Sequence, residues 1–193
     1  TYNDAVTLGA ATTLTSGTTT FDSTVDGAFA LTVTDSGTTT FGGAVGAGTA
    51  LASLTTNAGG TTAINGGAVT TTGAQTYNDA VTLGAATTLT SGTDIFLQDT
   101  VNNGGNLLTI DVTGTAGSAS GVISGDGGLT KQGAGTFTLS ATNNTYTGNT
   151  TVSAGTLALS AVSNNNIAST GSIEVGSGAT LDVTGLTSSK LVL

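Results

Sequence analysis

The sequence predicts an all-β protein, a right-handed single-stranded parallel β-helix (solenoid) of about nine to ten coils. Three observations carry that prediction: a narrow alphabet rich in Thr and Gly, a long internal repeat, and bulky residues recurring about every 20 positions.

The 193 residues include 45 Thr and 31 Gly but no Pro, Cys, Met, Trp or His. Thr is β-branched and favours the half-buried surface of a strand. Helix formers are too few for an amphipathic helix, so essentially no α-helix is expected. Hydrophobic residues make up 37% and charged residues 7%, which opposes the high charge and low hydrophobicity of disordered chains. Aromatics at 4% cannot fill a thick core, so the core must be thin and built from Val, Leu, Ile and Ala.

The segment TYNDAVTLGAATTLTSG occurs at residues 1–17 and, identical, at residues 76–92, a period of 75 residues. Weaker copies lie between them: TTTFDSTV from Thr18, TTTFGGAV from Thr38 and TTAINGGAV from Thr61. The bulky positions Tyr2, Phe21, Phe41, Ile64, Tyr77 and Phe96 are spaced by 19, 20, 23, 13 and 19 residues, and the first four intervals sum to the period. The reading is four coils per period, each starting from one such anchor. A coil of this length is too short for a helical-pair repeat and fits three short strands and three turns. Period-two alternation then turns Val, Leu and Ile inward and Thr, Ser and Asp to water. Gly42-Gly43, Gly59-Gly60, Gly66-Gly67, Asn102-Asn103 and Gly104-Gly105 mark corners.

Residues 128–159 read GLTKQGAGTFTLSATNNTYTGNTTVSAGTLAL, followed by GSIEVGSGATLDVTG at residues 171–185. The first run resembles the autotransporter-associated β-strand repeat, of the form GLTKxGxGTLTLSGxNTYTGxTTVxxGTLxL. It departs at Phe137, where Leu is usual, and at Ala141, where Gly is usual. Inside the run, Leu129, Phe137, Leu139, Tyr146, Val152, Leu157 and Leu159 are expected to face inward, with Gly133, Gly135, Gly148 and Gly155 turning the chain. The organisation expected is residues 1–127 as looser β-helix coils, similar in composition to filamentous-haemagglutinin-type adhesins, and residues 128–193 as repeat coils continuous with the same solenoid. The resemblance implies a secreted protein of a Gram-negative surface, outer-membrane-associated or released, serving adhesion, aggregation or biofilm. Its partners would be neighbouring coils or protomers end to end and a glycan or protein receptor on a host or bacterial surface. The chain starts at Thr1 rather than Met and ends on the strand-like run Ser189 to Leu193, and neither end looks capped. Either the native chain continues in both directions or separate molecules stack end to end, and a self-assembling filament or sheath, stacked through open coils, is the alternative.

The net charge of −9, with Lys131 and Lys190 the only cations, opposes binding to nucleic acid or to an anionic membrane. No apolar run is long enough to insert into a bilayer as a helix. Without His, Arg or Cys the chain lacks the usual acid–base and nucleophilic groups, and no enzyme activity, catalytic residue, cofactor or metal residue is expected. Carboxylate pairs Asp22/Asp26 and Asp94/Asp99 are the candidates for glycosidase-like chemistry. Asp4, Asp79, Asp22 with Asp26, and Asp126 are the candidates for Ca²⁺, although the glycine-rich Ca²⁺ nonapeptide is missing and a turn role is the simpler reading. Ice binding by Thr rows is opposed on the ground that coils of unequal length would break a regular lattice. Asn143-Asn144-Thr145 and Asn149-Thr150-Thr151 fit N-glycosylation sequons.

Overall fold

Short runs in which Thr alternates with Val, Leu or Ile form strands of two to six residues, from Val6–Thr7 to Ala30–Asp35. The structure, a computed structural model, describes residues 1–160, 167 and 169–186. The run expected at Ser189 to Leu193, with Lys190, lies outside the described residues. Among the described residues there is no helix, and every strand pair is parallel. The chain visits three sheets in rotation and winds a β-solenoid of about eight turns. The first sheet has nine strands, from Thr12–Ser16 to Thr180–Asp182. The second has six, from Thr19–Phe21 to Ile123–Ser124. The third has six, from Ala68–Thr71 to Ile173–Val175, and isolated bridges continue it through Val45 to the pair Val25–Asp26 and Val6–Thr7.

Stacking in register makes each inward position a row along the axis. On the third sheet the row runs Val6, Val25, Val45, Val69, Leu89, Ile110, Lys131, Val152 and Val175. On the second, Phe21 stacks on Phe41 with ring centroids 5.5 Å apart, and Phe41 is followed by Ile64 and Leu83. On the first, large residues sit beside small ones: Tyr77 follows Thr56, and Phe137 follows Gly117. This interdigitation fills a thin core to the density that protein interiors require. The seven inward positions expected in residues 128–159 are all buried. Gly133, Gly135, Gly148 and Gly155 all lie between strands, as the turning positions should.

Coil length varies, from 19 residues between Thr12 and Leu31 to 24 between Leu157 and Leu181, yet the strands stay in register. The extra residues are absorbed at the corners. The expectation that unequal coils would break regular outer rows is therefore wrong. Thr13, Thr32, Thr55 and Thr76 form one outer ladder on the first sheet, and Thr88, Thr109, Thr130 and Thr151 another on the third.

The 75-residue repeat does not correspond to four coils. Thr12 is three coils before Gln75 on the first sheet, but Thr87, its counterpart in the repeat, lies on the third. One period is thus three coils and two further faces. Tyr2 bridges to Phe21 on the second sheet, whereas Tyr77 sits on the first. Phe96 is also on the first sheet and points outward between Ile95 and Leu97, so it is no core anchor. The 13-residue interval from Ile64 to Tyr77 is not a coil, because Ile64 is followed in its row by Leu83. The phase of alternation is nevertheless conserved in the two copies. In Thr87–Ser91 residues 87, 89 and 91 are buried, and their counterparts 12 and 14 face the same way in the terminal coil.

Candidate functional site

A cluster of polar residues enters the interior at the corner between the first and second sheets, which corrects the expectation that Ser, Thr and Asp all point to water. The strand Ala30–Asp35 ends there with Asp35 in inward phase, 1% exposed. Its carboxylate accepts hydrogen bonds from the hydroxyls of Ser16 at 3.0 Å, Thr19 at 3.1 Å and Thr39 at 3.0 Å. Two coils on, Asp79 occupies the same corner, 2% exposed, and accepts from Thr56 at 3.0 Å and Thr62 at 2.8 Å. Thr19, Thr39 and Thr62 form an inward row that becomes Val81, Val101 and Ile123 further along. The seam is thus confined to the N-terminal coils. Asp4, the repeat counterpart of Asp79, lies at a different corner and is exposed. The same dipeptide is buried or solvated according to the face it reaches.

Burial raises the pKa of Asp79 above the ordinary carboxylate value; the hydroxyls of Thr62 and Thr56 oppose that shift, and the Asp99 charge adds to it. The folded chain therefore binds a proton more tightly than the unfolded chain, and stability falls as pH rises through the raised pKa. Asp79→Asn keeps a carbonyl oxygen for the two hydroxyls and removes the ionisation. Its urea midpoint is expected to equal or exceed that of the parent at about pH 7, and the gap should narrow as pH falls through the raised pKa and the parent carboxyl takes up its proton.

Lys131 interrupts the aliphatic row of the third sheet, stacked between Ile110 and Val152 and fully buried. Its stem packs as an aliphatic chain, and its ammonium reaches the corner, donating to the carbonyls of Gln132, Gly133 (2.9 Å) and Ala154 (3.5 Å). Burial lowers its pKa to about 8, against an opposing pull from Asp111. The unfolded chain thus holds the proton more tightly, and stability is expected to rise as pH climbs from about 8 toward 10.5. Lys131→Met should abolish that alkaline rise, as read from thermal midpoints across the window.

Other buried polar groups tie the sheets together. Gln75 donates to the carbonyls of Val69 at 3.1 Å and Thr90 at 2.8 Å while accepting from the Tyr77 hydroxyl at 3.0 Å. Burial pushes the Tyr77 hydroxyl far above its ordinary pKa. Asn103 accepts from the amides of Gly105 and Gly127, and its Nδ2 is, among the described residues, the one buried side-chain polar atom without a partner.

The carboxylates named from the sequence do not assemble into a site. Asp94 and Asp99 flank the strand Ile95–Leu97 at opposite ends; Asp94 accepts from the amides of Ala116 and Gly117, and Asp99 from that of Thr100. Asp22 is exposed after Thr19–Phe21, while Asp26 lies on the third sheet and caps a loop of the next coil through the amides of Gly48 and Thr49. Asp126 is exposed and accepts from the Thr147 hydroxyl. Among the described residues no group of three or more His, Cys, Asp or Glu side chains is placed to hold a metal ion. Asx-type capping of corners explains these side chains. The burial of Asp35, Asp79 and Lys131 was not expected from residue type, although alternation counted from Leu31, Tyr77 and Leu129 puts each in inward phase.

Residues 129–159 match the family model of the passenger-associated-transport-repeat. No curated protein and no solved structure matches the chain. The repeat and the β-solenoid together fit an autotransporter passenger β-helix repeat, and with it a passenger-like structural domain.

Proposed function

We propose that the chain is a non-enzymatic β-helical stalk of an autotransporter or adhesin-type surface protein, secreted to the cell surface, with a structural role in adhesion, aggregation or biofilm. The observation that carries this reading is the continuous in-register stacking of the third sheet from Val6 to Val175, under faces lined by Thr. Eight coil steps at an inter-strand spacing of about 4.8 Å make a rod of about 38 Å. Such a rod supplies reach and stiffness, and its partner would be a surface glycan or protein. Surface immunolabelling and settling of source cells, with and without these 193 residues, test the reading. Surface display, with cell aggregation or adhesion lost on deletion, is expected. A chain retained in the cytoplasm, or unchanged aggregation and adhesion, contradicts it.

A further inference from the structure

We propose that Asn143 is a site of N-linked glycosylation, accepting a sugar from a pyrophosphate-activated donor, and that the fold withholds the neighbouring sequon at Asn149. The inference does not depend on the adhesive reading. Asn143-Asn144-Thr145 lies between the strands Thr136–Leu139 and Thr150–Val152. Burial alternates there: Asn144 and Tyr146 are buried, Asn143 and Thr145 exposed. Residues two apart on an extended chain share a side. The acceptor amide of Asn143 and the Thr145 hydroxyl, which a sequon transferase reads together, are therefore offered on one solvent-facing side.

That presentation is anchored. Asn144 accepts from the Ile123 amide through Oδ1 at 2.8 Å, and the Thr145 amide donates to the Ile123 carbonyl at 2.9 Å. Both bonds use the backbone or the intervening Asn144, leaving the Asn143 amide group and the Thr145 hydroxyl outward. The second sequon differs. Asn149 is exposed, but Thr151 is the central residue of Thr150–Val152, which pairs with Leu129–Gln132 on one side and Ile173–Val175 on the other. The Asn149 carbonyl accepts from the Leu129 amide at 2.9 Å, and the Thr150 amide donates to the Ser172 carbonyl at 2.8 Å. A transferase can read this tripeptide only by lifting a strand from the middle of a sheet, a local unfolding.

In the reaction, Nδ2 of Asn143 attacks the anomeric carbon of the donor. The nitrogen–carbon bond forms, the bond from that carbon to the pyrophosphate oxygen breaks, and the leaving group keeps the electron pair. The amide proton passes to a base of the transferase, with no change in oxidation state. A nucleotide-activated hexose and a lipid-linked oligosaccharide share this chemistry, and the added mass separates them.

The test is peptide mass spectrometry of the protein from its native source. A single hexose on the peptide carrying Asn143 indicates a nucleotide sugar, a defined oligosaccharide indicates a lipid-linked donor, and Asn149 is expected bare. In a second arm, the folded chain is incubated with a sequon-reading N-glycosyltransferase and its nucleotide sugar. Occupancy should favour Asn143 over Asn149 by about tenfold or more, and the preference should vanish in the free peptide spanning residues 136–152. Thr145→Ala should abolish modification at Asn143 and Thr145→Ser should retain it, circular dichroism confirming that both variants stay folded. An unmodified Asn143 in the native protein, modification that survives Thr145→Ala, or equal occupancy of the two sequons in the folded chain overturns the proposal.

Discussion

Phe41→Ala is expected to lower the stability of the chain by about 3–5 kcal/mol, the range for truncating a fully buried aromatic. Phe41 has no exposed surface and stands between Phe21 and Ile64 in the inward row of the second sheet. Its ring lies nearly parallel to that of Phe21, at 1°, with centroids 5.5 Å apart. Removing it opens a void and also ends the Tyr2–Phe21–Phe41 stack, so the coil above loses its floor. In a solenoid each coil touches only its neighbours, and the loss should stay local. Hydrogen exchange is expected to show faster opening of Thr19–Phe21, Thr38–Phe41 and Thr61–Ile64, with residues 129–159 protected as before. Phe41→Leu, which keeps most of the volume, should recover over half of the lost stability, about 2–3 kcal/mol by the tolerance for hydrophobic swaps.

Gly66→Ala is the second large effect, and it acts through the backbone. A methyl on Gly66 would stand 2.1 Å from the carbonyl carbon and oxygen of Gly43 and 2.6 Å from the Ala44 nitrogen, with no side chain able to give way. A methyl on Gly43 would likewise stand 2.4 Å from the Ser23 carbonyl carbon, so the corner is a column in which each glycine leaves no room for a side chain against the backbone of the preceding coil. The substitution must push adjacent coils apart and stretch the pairing of Phe41 with Ile64. A cost of about 1–3 kcal/mol, the usual overpacking range, is expected in urea unfolding. Gly17→Ala is the control: a methyl there meets nothing within 4 Å. Its effect should stay within about 0.5 kcal/mol.

The interior was legible wherever alternation of Thr with aliphatic residues fixes which side chains point inward, and Leu129, Phe137, Leu139, Val152, Leu157 and Leu159 follow that pattern to burial. Tyr146 also follows, although it lies outside a strand, because its hydroxyl bonds to Thr150 at 2.7 Å inside the corner. The face that a segment occupies was not legible. Face is set by summing the lengths of all preceding corners, and corners accept one to several extra residues without disturbing register. That is why Tyr2 and Tyr77, identical in local sequence, fall on different sheets, and why Asp4 is solvated while Asp79 is buried. Hydroxyl-supported carboxylates and the buried Lys131 were hidden for another reason: a charged residue type points to solvent, whereas its phase in the strand points inward. Lys131 has a stem long enough to occupy an aliphatic row and still deliver its charge to three carbonyls.

The solenoid depends on parallel, in-register stacking of coils about 21 residues apart, and Leu54 over Gln75 defines the step. The most direct measurement is oxidative cross-linking of the outward pair Thr55→Cys and Thr76→Cys, which oppose each other on the first sheet. Adjacent parallel strands lie about 4.8 Å apart, within the Cα separation that a disulfide spans. Rapid disulfide formation in the native chain, with unchanged circular dichroism, is the predicted result, and the shifted pair Thr55→Cys with Gln98→Cys, one coil and two residues out of register, should fail to cross-link. Failure of the first pair in a folded chain, or equal cross-linking of both, contradicts the solenoid register.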